Sequence, residues 1–313
     1  MSIYQYIIRR LLYSIPIILG VCLIIFVLFN LVSPDPVLLM LGKHVTASQI
    51  ADLRRELGLD RPWFLQYWDV VKSSFTFEFG RSWSRKQEIW QMIKQGAPVS
   101  LSLTLPGFIL SAIISIAISI MVAFFRGTWI DKFAVFISVA MVSISSLAYI
   151  LFFQWYLAFK LGIFEISGYE HGFFECIPYV ILPIIIYIIL SVGPDVRFYR
   201  TVLLDEIYQD YVRTARAKGL SETYVLFKHV LKNAMIPIIT NLVISLPFLI
   251  LGALLLESFF GIPGLGGITL EAVNTSDFPV LKAMAVLSSM AYIVFSIITD
   301  VLYTVFDPRV RLK

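Results

Sequence analysis

The sequence predicts an all-α, polytopic membrane protein with six transmembrane helices, on three observations. Long apolar runs recur along the 313 residues, most of them close to or above the ~20 residues a helix needs to cross a bilayer core. Hydrophobic residues make up 58% of the chain and charged residues 15%, at a mean hydropathy of +0.84; soluble domains carry about a quarter charged residues. The basic residues also divide unevenly among the loops, which fixes a direction of insertion.

The charge-free runs cover residues 11–32, 98–125, 133–159, 176–194, 233–256 and 283–299, the last able to continue to 306. Lipid offers no partner to a backbone N–H or C=O, so each run reads as a helix that satisfies itself. Arg9 and Arg10 precede the first run, as they would a signal peptide. That run is too long for a signal core, however, and ends in Ser33-Pro34-Asp35-Pro36 without a small-residue cleavage site, so it reads as a retained helix. Pro106-Gly107, Pro183, Gly193-Pro194 and Pro247 are expected to bend their helices.

Orientation follows the positive-inside rule. With the N-terminus inside, the inner segments hold 14 basic residues, from Arg9 and Arg10 through Arg213, Arg216 and Lys218 to Lys313, and the short outer loops hold only Lys160 and Lys282. The remaining nine lie in the long stretch 33–97, which crosses largely regardless of charge. Both termini are therefore expected to be cytoplasmic. This divides the chain into residues 1–97, a first helix plus an outer segment, and residues 98–313, a five-helix core with an inner polar segment at 197–232.

In the outer segment, residues 46–57 predict a helix with Thr46 or Ser48 as N-cap and Gly58 just past its end. Residues 62–73 predict a second, whose Trp63, Phe64, Tyr67 and Trp68 suit a membrane interface. The inner segment predicts a helix, a break and a helix. Gly219 suits the left-handed position that ends a helix, and Lys218 suits the negative end of its dipole. Ser221 can cap the next helix, with Glu222 at its positive end. Ala215 and Ala217 keep side chains short, so that another surface can approach. An ordinary basic juxtamembrane loop lying on anionic lipid explains this segment as well on physics alone.

Other chemistries find little support. No basic face interleaves with aromatics, so nucleic acid is not an expected partner. His44, His171 and His229 fall on different sides and Cys22 and Cys176 lack zinc spacing, so no metal site is expected. Gly261 to Gly267 lacks the Gly-Lys-Ser/Thr of a phosphate loop and reads as a tight turn in a re-entrant outer loop. Of the acids at span ends, Asp195 and Asp300 read as structural, Asp195 through nearby Arg197, whereas Glu257 is placed where it can meet substrate or an outer partner. A secondary transporter or channel would want acidic relays at mid-membrane, and an embedded enzyme would want a nucleophile or metal cluster; neither pattern is present.

The stretch DYVRTARAKGLS (210–221), followed by HVLKNAMIP (229–237), resembles the coupling motif of binding-protein-dependent ABC importer permeases, in the form used by the oligopeptide, dipeptide and nickel branch. Arg213-Thr214-Ala215 stand at the family's Glu-Ala-Ala positions, Gly219 at its glycine and Leu231 at its leucine. His229 and Lys232 replace its isoleucine and proline. Further resemblance comes from RRLLYSIPIILGV at 9–21, SPDP at 33–36, LRRELGLDRPWFLQYW at 53–68, FEFGRSW at 77–83, ESFFGIPGLGG at 257–267, SDFP at 276–279 and FDPRVR at 306–311.

The resemblance implies a type I ABC importer fold in a bacterial inner membrane, with this chain as the first permease subunit type. The implied partners are a second homologous permease, two ATP-binding subunits and an external substrate-binding protein, all in membrane lipid. Asp210, Tyr211, Arg213, Thr214, Ala215, Arg216, Ala217, Lys218 and Gly219 would couple to the ATPase. Glu257, Pro263 and Gly264 would belong to an outer gate or substrate path. This chain would be a transport subunit, without catalytic residues or a cofactor of its own, and ATP with Mg would be held by the partner subunits. The implied substrate is a di- or oligopeptide, with nickel or another small solute as the alternative.

Overall fold

The computed structural model describes residues 3–32, 37, 46–56, 58–172 and 174–306. The motif residues 33–36 and 307–311, and His44, lie outside them. Five helices are long and apolar enough to cross a membrane: Ile8–Asn30, Ile89–Phe124, Ile177–Ile207, Glu222–Phe259 and Phe278–Val301. The bent pair Trp129–Ser143 and Ser146–Lys160, which meet at 90°, makes a sixth if the two are counted as one span.

In order, α1 (Ile3–Val27) continues into a π-helical turn, Leu28–Val32. Helices α2 (Ala47–Glu56) and α3 (Trp63–Thr76) follow. Then come α4 (Ile89–Phe124), α5 (Trp129–Ser143), α6 (Ser146–Phe153, prolonged as a π-helix to Lys160) and α7 (Ile177–Ile207). Short α8 (Asp210–Ala217) leads to α9 (Glu222–Tyr224), a π-helical stretch to Val230 and α10 (Leu231–Leu251). The chain ends with α11 (Leu254–Phe259), α12 (Leu265–Asn274) and α13 (Phe278–Phe306).

The expected outer helices are present. Gln49 accepts from the Thr46 amide at 3.1 Å, one half of a capping box at the start of α2, and Gly58 follows its end at φ +68°. Tyr67 on α3 donates to the Leu19 carbonyl of α1 at 3.0 Å, so this face packs on the first span, while Trp63 and Trp68 stay exposed. Cys22 is a packing residue within hydrogen-bond range of Ser74 at 3.3 Å, and neither cysteine is in a disulfide.

Helices α4 and α7 form the spine. Ser100, Thr104, Gly107, Ser111, Ser115 and Ser119 recur every three or four residues on α4 and are all buried. Small residues on one face let two membrane helices approach closely. A Cβ on Gly107 would lie 2.8 Å from the Tyr187 ring of α7, and one on Gly193 of α7 would lie 2.9 Å from Met141 Cβ of α5. Hydroxyls add cross-helix bonds: Thr104 to the Leu249 carbonyl at 3.0 Å and Ser119 to the Val196 carbonyl at 3.2 Å.

Three sequence expectations need correction. The run 133–159 is not one straight helix. Ser143, Ser145 and Ser146 interrupt it, Ile144 and Ser145 turn extended, and α6 restarts after Ser145. Serines offer the backbone competing hydrogen bonds, which favours a break here. The helix of the fourth run does not stop at the membrane edge near residue 194: α7 carries on through Arg197 and Arg200 to Ile207, 31 residues in all, or about 46 Å at 1.5 Å per residue. In addition, α4 begins at Ile89 and runs unbroken past residue 98, so the boundary drawn at 97/98 falls inside a helix.

Candidate functional site

The candidate segment hangs between the tip of α7 and the start of α9. Helix α7 ends at Ile207, and the chain turns at Tyr208–Gln209 and enters α8. On α8, Val212 and Ala215 lie one turn apart and are buried, against a cluster that includes Tyr199, Leu203, Ile207, Val225, Leu226 and Val230. This apolar seam, built from the tips of α7 and of the α9–α10 rod, fixes the rotation of α8 about its axis. The opposite side presents Asp210, Tyr211, Arg213, Thr214, Ala217 and Lys218 to solvent.

Gly219 sits at φ +79°, the left-handed conformation expected for the stop. The Ser221 hydroxyl accepts from the Tyr224 amide at 3.4 Å, the predicted cap. Across this turn Arg216 grips Glu222 with two bonds, Nε at 2.7 Å and an Nη at 3.2 Å. Tyr211 donates to Glu206 at the end of α7; desolvation of the part of the side chain that packs inward, and then this contact, push the phenol up to about 12. Two expectations change. Ala215 is short because it faces its own bundle, not an incoming surface. Arg216 is engaged inside the segment, as a brace between α8 and α9.

Further along, α7 is clamped to the start of α5. Arg200 Nε lies 2.6 Å from Asp131 Oδ1, and Asp131 also accepts from the Gly127 amide at 3.0 Å. Sequence reasoning missed this pair, since 69 residues separate its members. Asp195 lies on the same helix beside Asn241, which also reaches the buried Tyr199 hydroxyl at 3.4 Å. Asp195 makes no ion pair with Arg197 among the described residues. Asp300 pairs with Arg10, tying the last helix to the first.

Glu257, Pro263 and Gly264 lie at the other end of α7, where Gly168 of the preceding loop donates to the Phe260 carbonyl at 2.8 Å. Gly252 ends α10 at φ +76°, short α11 follows, and Gly261 at φ +64° reverses the chain into α12. The tight turn read from the glycines is therefore present. Glu257 differs from its expectation: the side chain is 0% exposed. Its two oxygens accept from the amides of Ala253 and Gly267, each at 3.0 Å, with Gly266 and Ser100 adding further bonds. Ser100 also accepts from the Leu265 amide at 2.7 Å. The carboxylate thus ties a knot of backbone, and in this conformation no surface is left to meet a solute. The knot requires its glycines: a Cβ on Gly266 would lie 2.8 Å from the Leu254 backbone. Pro263 is exposed at the turn and Gly264 is buried beside Glu257.

A second buried acid steadies the same end. Asp277 accepts from the Trp83 and Ser84 amides, each at 3.1 Å, and from the hydroxyls of Ser82 and Ser84. Burial acts to raise its carboxyl, but these donors outweigh it and hold the group below the usual carboxylate range. Arg85 and Glu271 pair alongside. Among the described residues, no three His, Cys, Asp or Glu side chains gather closely enough to hold a metal ion.

Comparison with known proteins agrees with this architecture. Residues 115–312 match the family described as binding-protein-dependent transport system inner membrane component. Residues 3–104 match the N-terminal region described for the same transport systems. The glutathione transport system permease protein GsiC of Salmonella typhimurium is 32% identical over 309 residues, 99% of each chain. The protein of the same name from Shigella flexneri serotype 5b is also 32% identical, and that of Escherichia coli K12 is 31% identical, over the same shares.

Proposed function

We propose, from the premise that this chain belongs to the inner-membrane components of binding-protein-dependent transport systems, that it passes short peptides through a pathway of which it forms half. It is a multi-pass permease subunit of an ABC importer in the inner membrane. In our reading, α8 seats in a groove of an ATP-binding subunit, and ATP with Mg is bound and hydrolysed there. A second, homologous permease completes the pathway, a second ATP-binding subunit serves it, and an external protein delivers the solute. The observation that carries this reading is α8 itself: a short helix braced on two rods that continue into membrane spans, with its polar side turned outward.

The peptide reading draws on relatives named for glutathione, a tripeptide, at 32% identity. The test is uptake by cells expressing the whole system, with labelled dipeptide, tripeptide, glutathione and nickel competing. Peptides should compete with one another. Nickel uptake indifferent to every peptide would sink the peptide reading and leave the permease assignment standing.

The orientation we propose places both termini and α8 in the cytoplasm and α2–α3 outside, on the basic-residue asymmetry. A cysteine at Asp52, exposed on α2, should react with an impermeant reagent in cells whose outer membrane has been made permeable. Reaction only after the inner membrane is opened would reverse the orientation. We also read the first span and the outer segment as an accessory unit around a five-helix core, with the boundary moved from 97/98 to the start of α4 at Ile89.

A further inference from the structure

At the end of the bundle that carries Glu257 lies a cavity of about 380 Å³ between α1, α3 and α13. Neither the α8 surface nor the Glu257 knot forms part of it. One wall is aromatic: the rings of Phe29 and Phe278 lie tilted at 47° with centroids 5.3 Å apart, and Trp83 meets Phe278 edge-on at 5.8 Å. The charged lining consists of Arg61, Arg81 and Lys282 against the single acid Asp69.

That acid is already engaged, since Asp69 accepts from Arg61 at 2.7 Å. Two cations therefore remain without a counter-charge among the described residues. Arg81 is exposed at the rim and makes no ion pair there. Lys282, on the first turns of α13, is partly buried, and its ammonium donates to Asn30 Oδ1 at 2.9 Å. Asn30 is held in that orientation because its amide donates to Gln66 at 2.8 Å, and Gln66 in turn donates to the Leu59 and Arg61 carbonyls. An ammonium has three donors, and only one is matched by a protein acceptor. A half-buried cation held by a neutral amide, at the wall of an open cavity, lacks the partner that would offset its loss of water.

The geometry points to an anion site in this cavity, taking a phosphate or carboxylate group between Lys282 and Arg81, with apolar matter against the Phe29–Phe278 wall. The cavity lies where the first and last spans end, so the phosphate of an anionic lipid and a free anion share the required chemistry.

The full chain, purified in detergent, would be titrated with phosphatidylglycerol and with phosphatidylcholine and examined by native mass spectrometry. Its melting would be followed in parallel with added inorganic phosphate. Phosphatidylglycerol should be retained in preference to phosphatidylcholine. Lys282→Gln and Arg81→Gln should each weaken that retention about tenfold, the worth of one charge-assisted hydrogen bond, and Lys282→Arg should restore most of it. Arg85→Gln removes the same charge outside the cavity and should change little. Protection by phosphate that Lys282→Gln abolishes identifies a free anion as the occupant. Retention of lipid without phosphate protection identifies a headgroup. The proposal is overturned if neither cavity variant alters retention or protection, or if Arg85→Gln alters them equally. Arg81→Gln, at the exposed rim, keeps the test decisive if Lys282→Gln fails to fold.

Discussion

The two ends of α7 carry helix–turn–helix elements of opposite character. At one end, a Cβ on Gly219 would meet nothing within 4 Å; only the backbone angle restricts the residue, and the outward side of α8 is polar and free. At the other end, Glu257 is wholly buried, its carboxylate is fully engaged, and Gly266 has no room for a methyl group. The first element is shaped to receive something, and the second to hold a fixed form. The same residue type, glycine, serves conformation in one and close approach in the other.

The sharpest way to break this contrast is at Glu257. Glu257→Ala would leave the Ala253 and Gly267 amides without acceptors, at about 1–3 kcal/mol each. Membrane abundance and melting temperature should both fall steeply. Glu257→Gln should fall less, because one oxygen still accepts while its amide nitrogen opposes a donor. Normal abundance for Glu257→Ala would show that the knot is dispensable.

Gly219→Val comes next. Its cost is strain of about 1 kcal/mol or more at positive φ, confined to an open turn. The spans should insert normally while uptake collapses, because α8 is misaimed. Gly219→Asn, which tolerates the left-handed region, should recover part of the uptake. Full uptake by Gly219→Val would remove α8 from the proposed coupling path.

A smaller effect is expected at the brace. Arg216→Glu sets two carboxylates against each other at a partly exposed site, where such pairs are worth about 1 kcal/mol or less. Co-purification of the ATP-binding subunit should weaken, and the swap Arg216→Glu with Glu222→Arg should restore it. Failure of the swap would mean that Arg216 contacts the partner directly.

The smallest effect is one of pH. Asp277 has a lowered folded value, so its contribution is complete above the unfolded value near 4 and is lost as pH falls through the lower one. Hydrogen exchange at Trp83 and Ser84 should be flat from about pH 5 to 8, after correction for intrinsic rates, and rise only in stronger acid. A rise near neutrality would contradict the assignment.

Much of this was legible in the sequence because membrane insertion writes itself in local terms. Apolar length gave the spans, and Gly219, Ser221 and Gly58 marked the turns at which they are found. The tight turn at Gly261–Gly267 was readable for the same reason. Glu257 was misread because an acid beside an apolar run looks exposed until the chain folds back and surrounds it with amides. The Asp131–Arg200 clamp spans too many residues for any local pattern to show. The bend at Ile144–Ser145 and the hydroxyl face of α4 did leave signals: three serines within four positions of an apolar run, and small residues at every third or fourth place from Ser100 to Ser119.

The continuity of α7, an unbroken helix through Pro183 and Pro194, has a mechanical consequence. It meets α4 closely at Tyr187, against Gly107. Ten residue steps separate Ile177 from that contact and twenty separate it from Ile207, arms of about 15 and 30 Å. A rod rocking on such a fulcrum halves displacement and doubles force between its long arm and its short one.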